Sequence, residues 1–209
     1  MAQELNDINQ SGDLETLKLK GESGTHAVEI DSNEPWDDIQ VNVLASRRGV
    51  NPPNDNRTYD YGIAGGVEFL CSGFDVDEGV DITLQTSHQM KLNSMLDLHI
   101  HYVLPTDGVG KKMKWQVDVV ASGINGTWQA VAGSPFTREH TIGANEHTSH
   151  KLLDLCDIPA VNTTVSSLYR ARITRIDASA DEYSGEVYVD FIDGHYQKDT
   201  LGSRDEGVK

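Results

Sequence analysis

Leu96-Asp97-Leu98-His99-Ile100-His101-Tyr102-Val103-Leu104 is the stretch that decides the fold. Leu96, Leu98, Ile100, Tyr102 and Leu104 fall on one face, and Asp97, His99, His101 and Val103 fall on the other. Successive side chains of a strand point to opposite faces, so this alternation is that of a half-buried β-strand. It also sets two histidines side by side on the second face. They are either half of a metal site or part of the polar face of a strand in a structural sandwich.

The same pattern extends in both directions. Strands are predicted over 66–74, 80–90, 95–104, 112–122, 127–132, 135–142, 148–156, 167–177 and 185–197. Turn chemistry separates them, as at Asp77-Glu78-Gly79, Pro105-Thr106-Asp107-Gly108, Gly123-Ile124-Asn125-Gly126 and Gly143-Ala144-Asn145. Met113, Trp115, Val117, Val119 and Ala121 form one apolar row, and Tyr169, Ala171, Ile173 and Arg175 share a face of another strand. Val187, Val189 and Phe191 alternate with Tyr188, Asp190 and Ile192. Nowhere do ten or more residues keep a helical period of about 3.6. Eight or nine strands at short spacing with almost no helix predict an all-β fold, an antiparallel β-sandwich of jelly-roll type with an extended N-terminal arm.

Upstream of Gly66 the signal weakens. Residues 1–20 read as the arm: the first 14 are polar without apolar periodicity, and 15–20 alternate briefly. Residues 26–31 and Ile39 to Leu44 read as further short strands. Ala45 to Gly66, with Arg47, Arg48, Pro52, Pro53 and Asn54, is predicted as a long loop of the kind that contacts a partner. The expected organisation is therefore an arm over 1–20, strands plus a long loop over 21–66 that pack on or extend the sandwich, and the sandwich itself over 67–209.

Charge excludes several functions. The 209 residues carry 33 acidic against 17 basic side chains, a net charge of −16. Neutralising phosphates requires clustered Lys and Arg, so neither nucleic acid nor an anionic membrane surface is an expected partner. No run of consecutive apolar residues exceeds three, where a membrane helix needs about 20. Met1 to Asn6 has neither the basic region nor the apolar core of a secretion signal, so none is expected. Cys71 and Cys156 lie in no paired motif and are expected to be buried free thiols, with a single long-range disulfide the alternative.

For catalysis or metal binding the sequence offers few candidates. His99 and His101 are two apart on one strand, a spacing at which both can ligate one metal, as in jelly-roll cupins. The carboxylate expected a few residues later is missing: Tyr102, Val103, Leu104 and Pro105 follow, and the first acid is Asp107. His140, His147 and His150 lie at a tolerable distance for a third ligand. The expectation is no metal and no cofactor, with His99 and His101 the candidates if one binds. Asp75, Asp77, Glu78 and Asp81 resemble loose calcium ligands without the spacing of a calcium-binding loop, and read as a solvated acidic turn. No nucleophile motif is present, and Gly62 to Gly66 lacks the lysine of a phosphate loop. No catalytic residue is expected.

Three segments carry a family resemblance: Asp97-Leu98-His99-Ile100-His101-Tyr102, Lys114-Trp115-Gln116-Val117, and Val187 to Glu206 with its Phe191-Ile192-Asp193-Gly194-His195-Tyr196 core. This succession resembles a group of tailed-bacteriophage virion proteins over residues ~60–209, where a D-L-H-x-H strand precedes a Trp-containing strand and a final F-x-D-x-H-Y strand leads into a short tail. The resemblance implies a jelly-roll structural protein without catalytic residues. It implies a virion location after synthesis in the host bacterial cytoplasm, and as partners itself, as a homotrimer, and the major capsid or other virion proteins. The expected function is capsid decoration. The alternatives are a tail-fibre or receptor-binding module and a cupin-like metal-dependent enzyme using His99 and His101.

Overall fold

The computed structural model describes residues 18–19, 28–29, 35–49, 51–62, 66–159 and 166–199. Most of the arm, residues 63–65 of the glycine-rich stretch and everything from 200 onward lie outside the described residues. Within them the secondary structure is β throughout, apart from two short 3-10 turns. No described helix is long and apolar enough to cross a membrane.

Eight strands build the core of the fold. In chain order they are β6 (Glu68–Phe74), β7 (Gly79–Gln85), β8 (Leu96–Val103), β9 (Lys112–Ser122), β11 (Phe136–Thr141), β12 (Lys151–Ile158), β13 (Leu168–Ile176) and β14 (Val187–Gln197). One sheet runs β6-β14-β8-β12 and the other β7-β13-β9-β11, with every pair antiparallel. Except from β9 to β11, which pair in one sheet, successive strands of the eight cross between the sheets, which is jelly-roll topology. The remaining strands extend it. β3 (Trp36–Asn42) runs along the second half of β14, β4 (Arg47–Arg48) pairs with β7, β5 (Asn54–Asp60) with β6, and β10 (Gln129–Ala130) with the end of β9. β1 (Lys18–Leu19) and β2 (Val28–Glu29) pair with each other.

The alternation read from the sequence is what fills the space between the sheets. Leu96, Leu98, Ile100 and Tyr102 of β8 meet Met113, Trp115, Val117 and Val119 of β9 in one continuous core, together with Val80, Ile82 and Leu84 of β7 and Tyr169, Ala171 and Ile173 of β13. Burying each such side chain contributes about 1.5–3 kcal/mol. Trp115 and Phe74 touch edge to face across the sheets, with ring centroids 5.4 Å apart. Arg175 follows the same period and is also inside, only 1% exposed. Its guanidinium donates to the backbone oxygens of Phe74 (2.9 Å), Gly185 (2.6 Å) and Tyr183, and to Glu182 Oε1 (2.7 Å). It thereby ties the end of β6 to the turn that leads into β14.

Two features depart from the sequence reading. The first is the supposed loop Ala45 to Gly66, which contains β4 and β5. β5 is Asn-Asp-Asn-Arg-Thr-Tyr-Asp, held by its ladder to β6 rather than by apolar burial, so hydrophobic periodicity does not register it. The second is β14, where the pairing with β8 shifts register between Val189 and Phe191. A bulge inserts one residue and reverses which side chains face inward. Phe191, expected on the face of Val187 and Val189, turns outward, and Ile192 takes its place in the core. Gly194 follows on the inward side, where a Cβ would stand 2.8 Å from Leu96 Cδ1.

Candidate functional site

The bulge brings the two histidine-bearing motifs onto one surface. Past it, Asp193 and His195 join the outward face of the β6-β14-β8-β12 sheet, beside His99 and His101 of β8. The register sets Asp154 of β12 and Asp193 of β14 opposite His99 on its two sides, and His195 opposite both Asp97 of β8 and Asp38 of β3. Acids and imidazoles thus alternate across four strands. The carboxylates missing downstream on β8 come from its neighbours in the sheet.

This face is polar in chemistry but closed to water at its centre, with His99 3% and Asp193 2% exposed. His99 Nε2 lies 2.9 Å from Asp154 Oδ1 and 3.1 Å from Asp97 Oδ2. Its Nδ1 points the other way, 3.6 Å from Asp193 Oδ1. Asp193 Oδ2 is contacted by His195 Nε2 at 3.2 Å and His101 Nε2 at 3.3 Å. His101 Nδ1 and His150 Nε2 share a hydrogen bond of 2.7 Å. With His101 Nε2–H donating to Asp193, its Nδ1 is left to accept from His150. Phe191, turned out by the bulge, stacks on the His101 ring at 4.0 Å and shields it. His195 Nε2 also reaches Asp38 Oδ1 at 3.0 Å.

The charges act unequally on these groups. Burial works against a charged His99, but the carboxylates of Asp193, Asp97 and Asp154 outweigh it and hold its pKa above the usual histidine range. Burial prevails at His101 and lowers its pKa, and Asp193 offsets this only in part. Asp193 stays below the usual carboxylate range despite its burial, because His99, His101 and His195 surround it. Asp97 is pushed up, chiefly by burial and further by Asp157 and Asp154. Two sets of three donors lie close enough to share a cation, His99–Asp193–His195 and Asp97–His99–Asp154, each with its donor atoms within 4.8 Å of one another.

The other candidates are used elsewhere. His140 Nε2 lies 3.1 Å from Glu146, a buried carboxylate that also accepts from Tyr102 Oη (2.8 Å) and the Gly143 amide (2.7 Å). His147 lies 3.6 Å from Asp107. In the acidic turn, Glu78 accepts from the Asp75 amide and Asp81 takes a two-pronged bond from Arg172 at 2.7 and 3.0 Å, so protein groups engage both carboxylates. Cys71 and Cys156 are both free. Burial raises their pKa values, to about 11 and about 12.

No known protein family and no curated protein matches the chain by sequence. Among solved structures it is similar to the insecticidal δ-endotoxin Cry8Ea1 of Bacillus thuringiensis, at a TM-score of 0.42 and 16% identity over 76% of this chain and 23% of that one. It is also similar to the 4-O-methyl-α-glucuronidase BtGH115A, at 0.43 and 16% over 79% and 18%. A third is the chain of T=1 particles derived from infectious bursal virus, at 0.39 and 10% over 97% and 42%. The chain spans less than half the length of each of these three proteins. At these TM-scores the likenesses carry no inference about function.

Proposed function

We propose that the chain is a non-enzymatic structural protein of a bacteriophage virion, a homotrimeric capsid decoration protein that stabilises the particle. The observation that carries this reading is the ribbon formed by β5 and β6. β6 is paired with β14 only from Ser72 to Phe74; beyond that point β14 takes β3 as its neighbour, and β5 and the first half of β6 continue as two strands. A two-stranded hairpin is marginally stable in water by itself. This one also exposes Phe69 (51%) and Leu70 (60%), with Val67 beside them. On a chain of net charge −16 such a patch belongs at an interface. A ribbon docked on a different surface of the next copy makes a head-to-tail contact, which gives a closed ring where the rotation between copies closes, and the ring proposed for this chain is a trimer.

Two further observations support the reading. The D-L-H-I-H-Y and F-I-D-G-H-Y segments, which carry the resemblance to phage virion proteins, are paired neighbours in one sheet and form one side-chain cluster. Both thiols are held well above neutral pH, opposite to what an activated cysteine nucleophile requires.

Light scattering of the purified chain at micromolar concentration tests the proposal. The wild type is expected to be a trimer and Leu70→Asp a monomer with an unchanged circular-dichroism spectrum. Leu70→Asp is also expected to bind particles lacking the protein at least tenfold more weakly. A monomeric wild type, together with equal particle binding by the variant, overturns it.

A further inference from the structure

His99 Nδ1 and Asp193 Oδ1 are both buried and neither has a hydrogen-bond partner. They face each other at 3.6 Å, beyond the 2.7–3.2 Å of an N–H···O bond. Such a pair inside a folded protein calls for an explanation, and an ion is among the common ones. Bonds of about 2.0–2.1 Å to one tetrahedral metal separate two donors by roughly 3.3–3.4 Å, so the observed gap fits two ligands of one ion better than it fits a hydrogen bond. The opposite nitrogen of His99 is engaged by Asp154 and Asp97, the arrangement in which a carboxylate holds the outer N–H of a metal-binding imidazole and leaves the inner nitrogen bare.

We propose that His99, Asp193 and His195 bind a divalent transition cation of the zinc type, which clamps β8 to β14. Two imidazoles and a carboxylate suit zinc and its neighbours rather than calcium or magnesium, which prefer oxygen. His195 supplies the third donor from the half-exposed side of the cluster, which gives the ion a route in from solvent. His101 falls in neither set of close donors, and its Nδ1 is bonded to His150. The cation joins strands on the outward face of a sheet whose inner face is the apolar core, so its role is structural.

The test uses the untagged full chain, stripped with a chelator and titrated with zinc chloride by calorimetry, and with cobalt chloride by visible absorption. One zinc per chain, a raised melting temperature and a cobalt band typical of nitrogen and oxygen ligands are expected. His195→Gln, at a half-exposed position, is expected to stay folded by circular dichroism and to weaken zinc binding at least tenfold. Asp193→Asn should do the same, and His140→Gln, outside the cluster, should change nothing. Less than a tenth of an equivalent of bound zinc, or equal affinity in wild type, His195→Gln and Asp193→Asn, overturns the proposal; a water or a protonated His99 then occupies the gap.

Discussion

Replacing Arg175 is the substitution the fold should tolerate least. Its guanidinium is sealed between the sheets and satisfies three backbone carbonyls, of Phe74, Gly185 and Tyr183, besides the Glu182 carboxylate. Buried ion pairs can often be exchanged for apolar side chains of equal volume at little cost, because both partners leave together. That escape is closed here: three of the four acceptors are main chain and stay behind. Each buried acceptor left without a donor costs about 1–3 kcal/mol, and breaking a buried pair from one side about 3–5 kcal/mol. Some of the acceptors will regain water, so Arg175→Met is expected to lose about 4 kcal/mol, a large part of the 5–15 kcal/mol typical of a whole domain. Arg175→Lys keeps the charge but cannot span acceptors fanned around a planar fork, and should still lose about 2 kcal/mol or more. Urea denaturation followed by tryptophan fluorescence measures both. A loss below 1 kcal/mol for Arg175→Met, or a lysine variant as stable as the wild type, would show that the carbonyls do not depend on this side chain.

Trp115 is fully buried and packs on Phe74 across the sandwich, so Trp115→Ala is expected to cost about 3–5 kcal/mol; a loss under 1 kcal/mol in the same assay refutes its place in the core. Trp115→Phe should cost far less, because it also removes a buried indole N–H that has no partner. Burial alone would raise the Glu146 pKa, but the Gly143 amide, Tyr102 and His140 hold it below its ordinary 4.5. A lowered folded-state pKa means that its contribution is complete above pH 4.5 and is lost as pH falls through the lower folded value. Glu146→Gln is therefore expected to cost about 1–3 kcal/mol at neutral pH and progressively less on acidification, and a cost that stays constant down to pH 3 contradicts this. Deleting residues 1–14, which carry no apolar pattern, should leave the melting temperature unchanged and weaken attachment to the particle; undiminished attachment shows that the arm is not an anchor.

The core strands were legible because each carries a row of apolar side chains at period two that faces the core. Leu96 to Leu104, Met113 to Ala121 and Tyr169 to Arg175 alternate cleanly, and each row faces the side that its alternation implies. β5 was not legible, since a polar edge strand is held by backbone ladder bonds that composition does not encode. The histidine cluster was half legible. His99 and His101 could be picked out, but apart from Asp97 the carboxylates that contact them, Asp154 and Asp193, lie on β12 and β14, and the bulge near Asp190 reverses the parity of β14. One signal was available in the sequence. Without a bulge the period set by Val187 and Val189 would drive Asp193 and His195 into the apolar core, which their chemistry forbids.

Whether this chain decorates a capsid is decided by its copy number in purified particles, determined by quantitative mass spectrometry against the major capsid protein. Hundreds of copies per particle are expected, in a ratio set by three chains at each attachment point. A dozen copies or fewer would move the protein to the tail, and its absence from purified particles would contradict a virion role altogether.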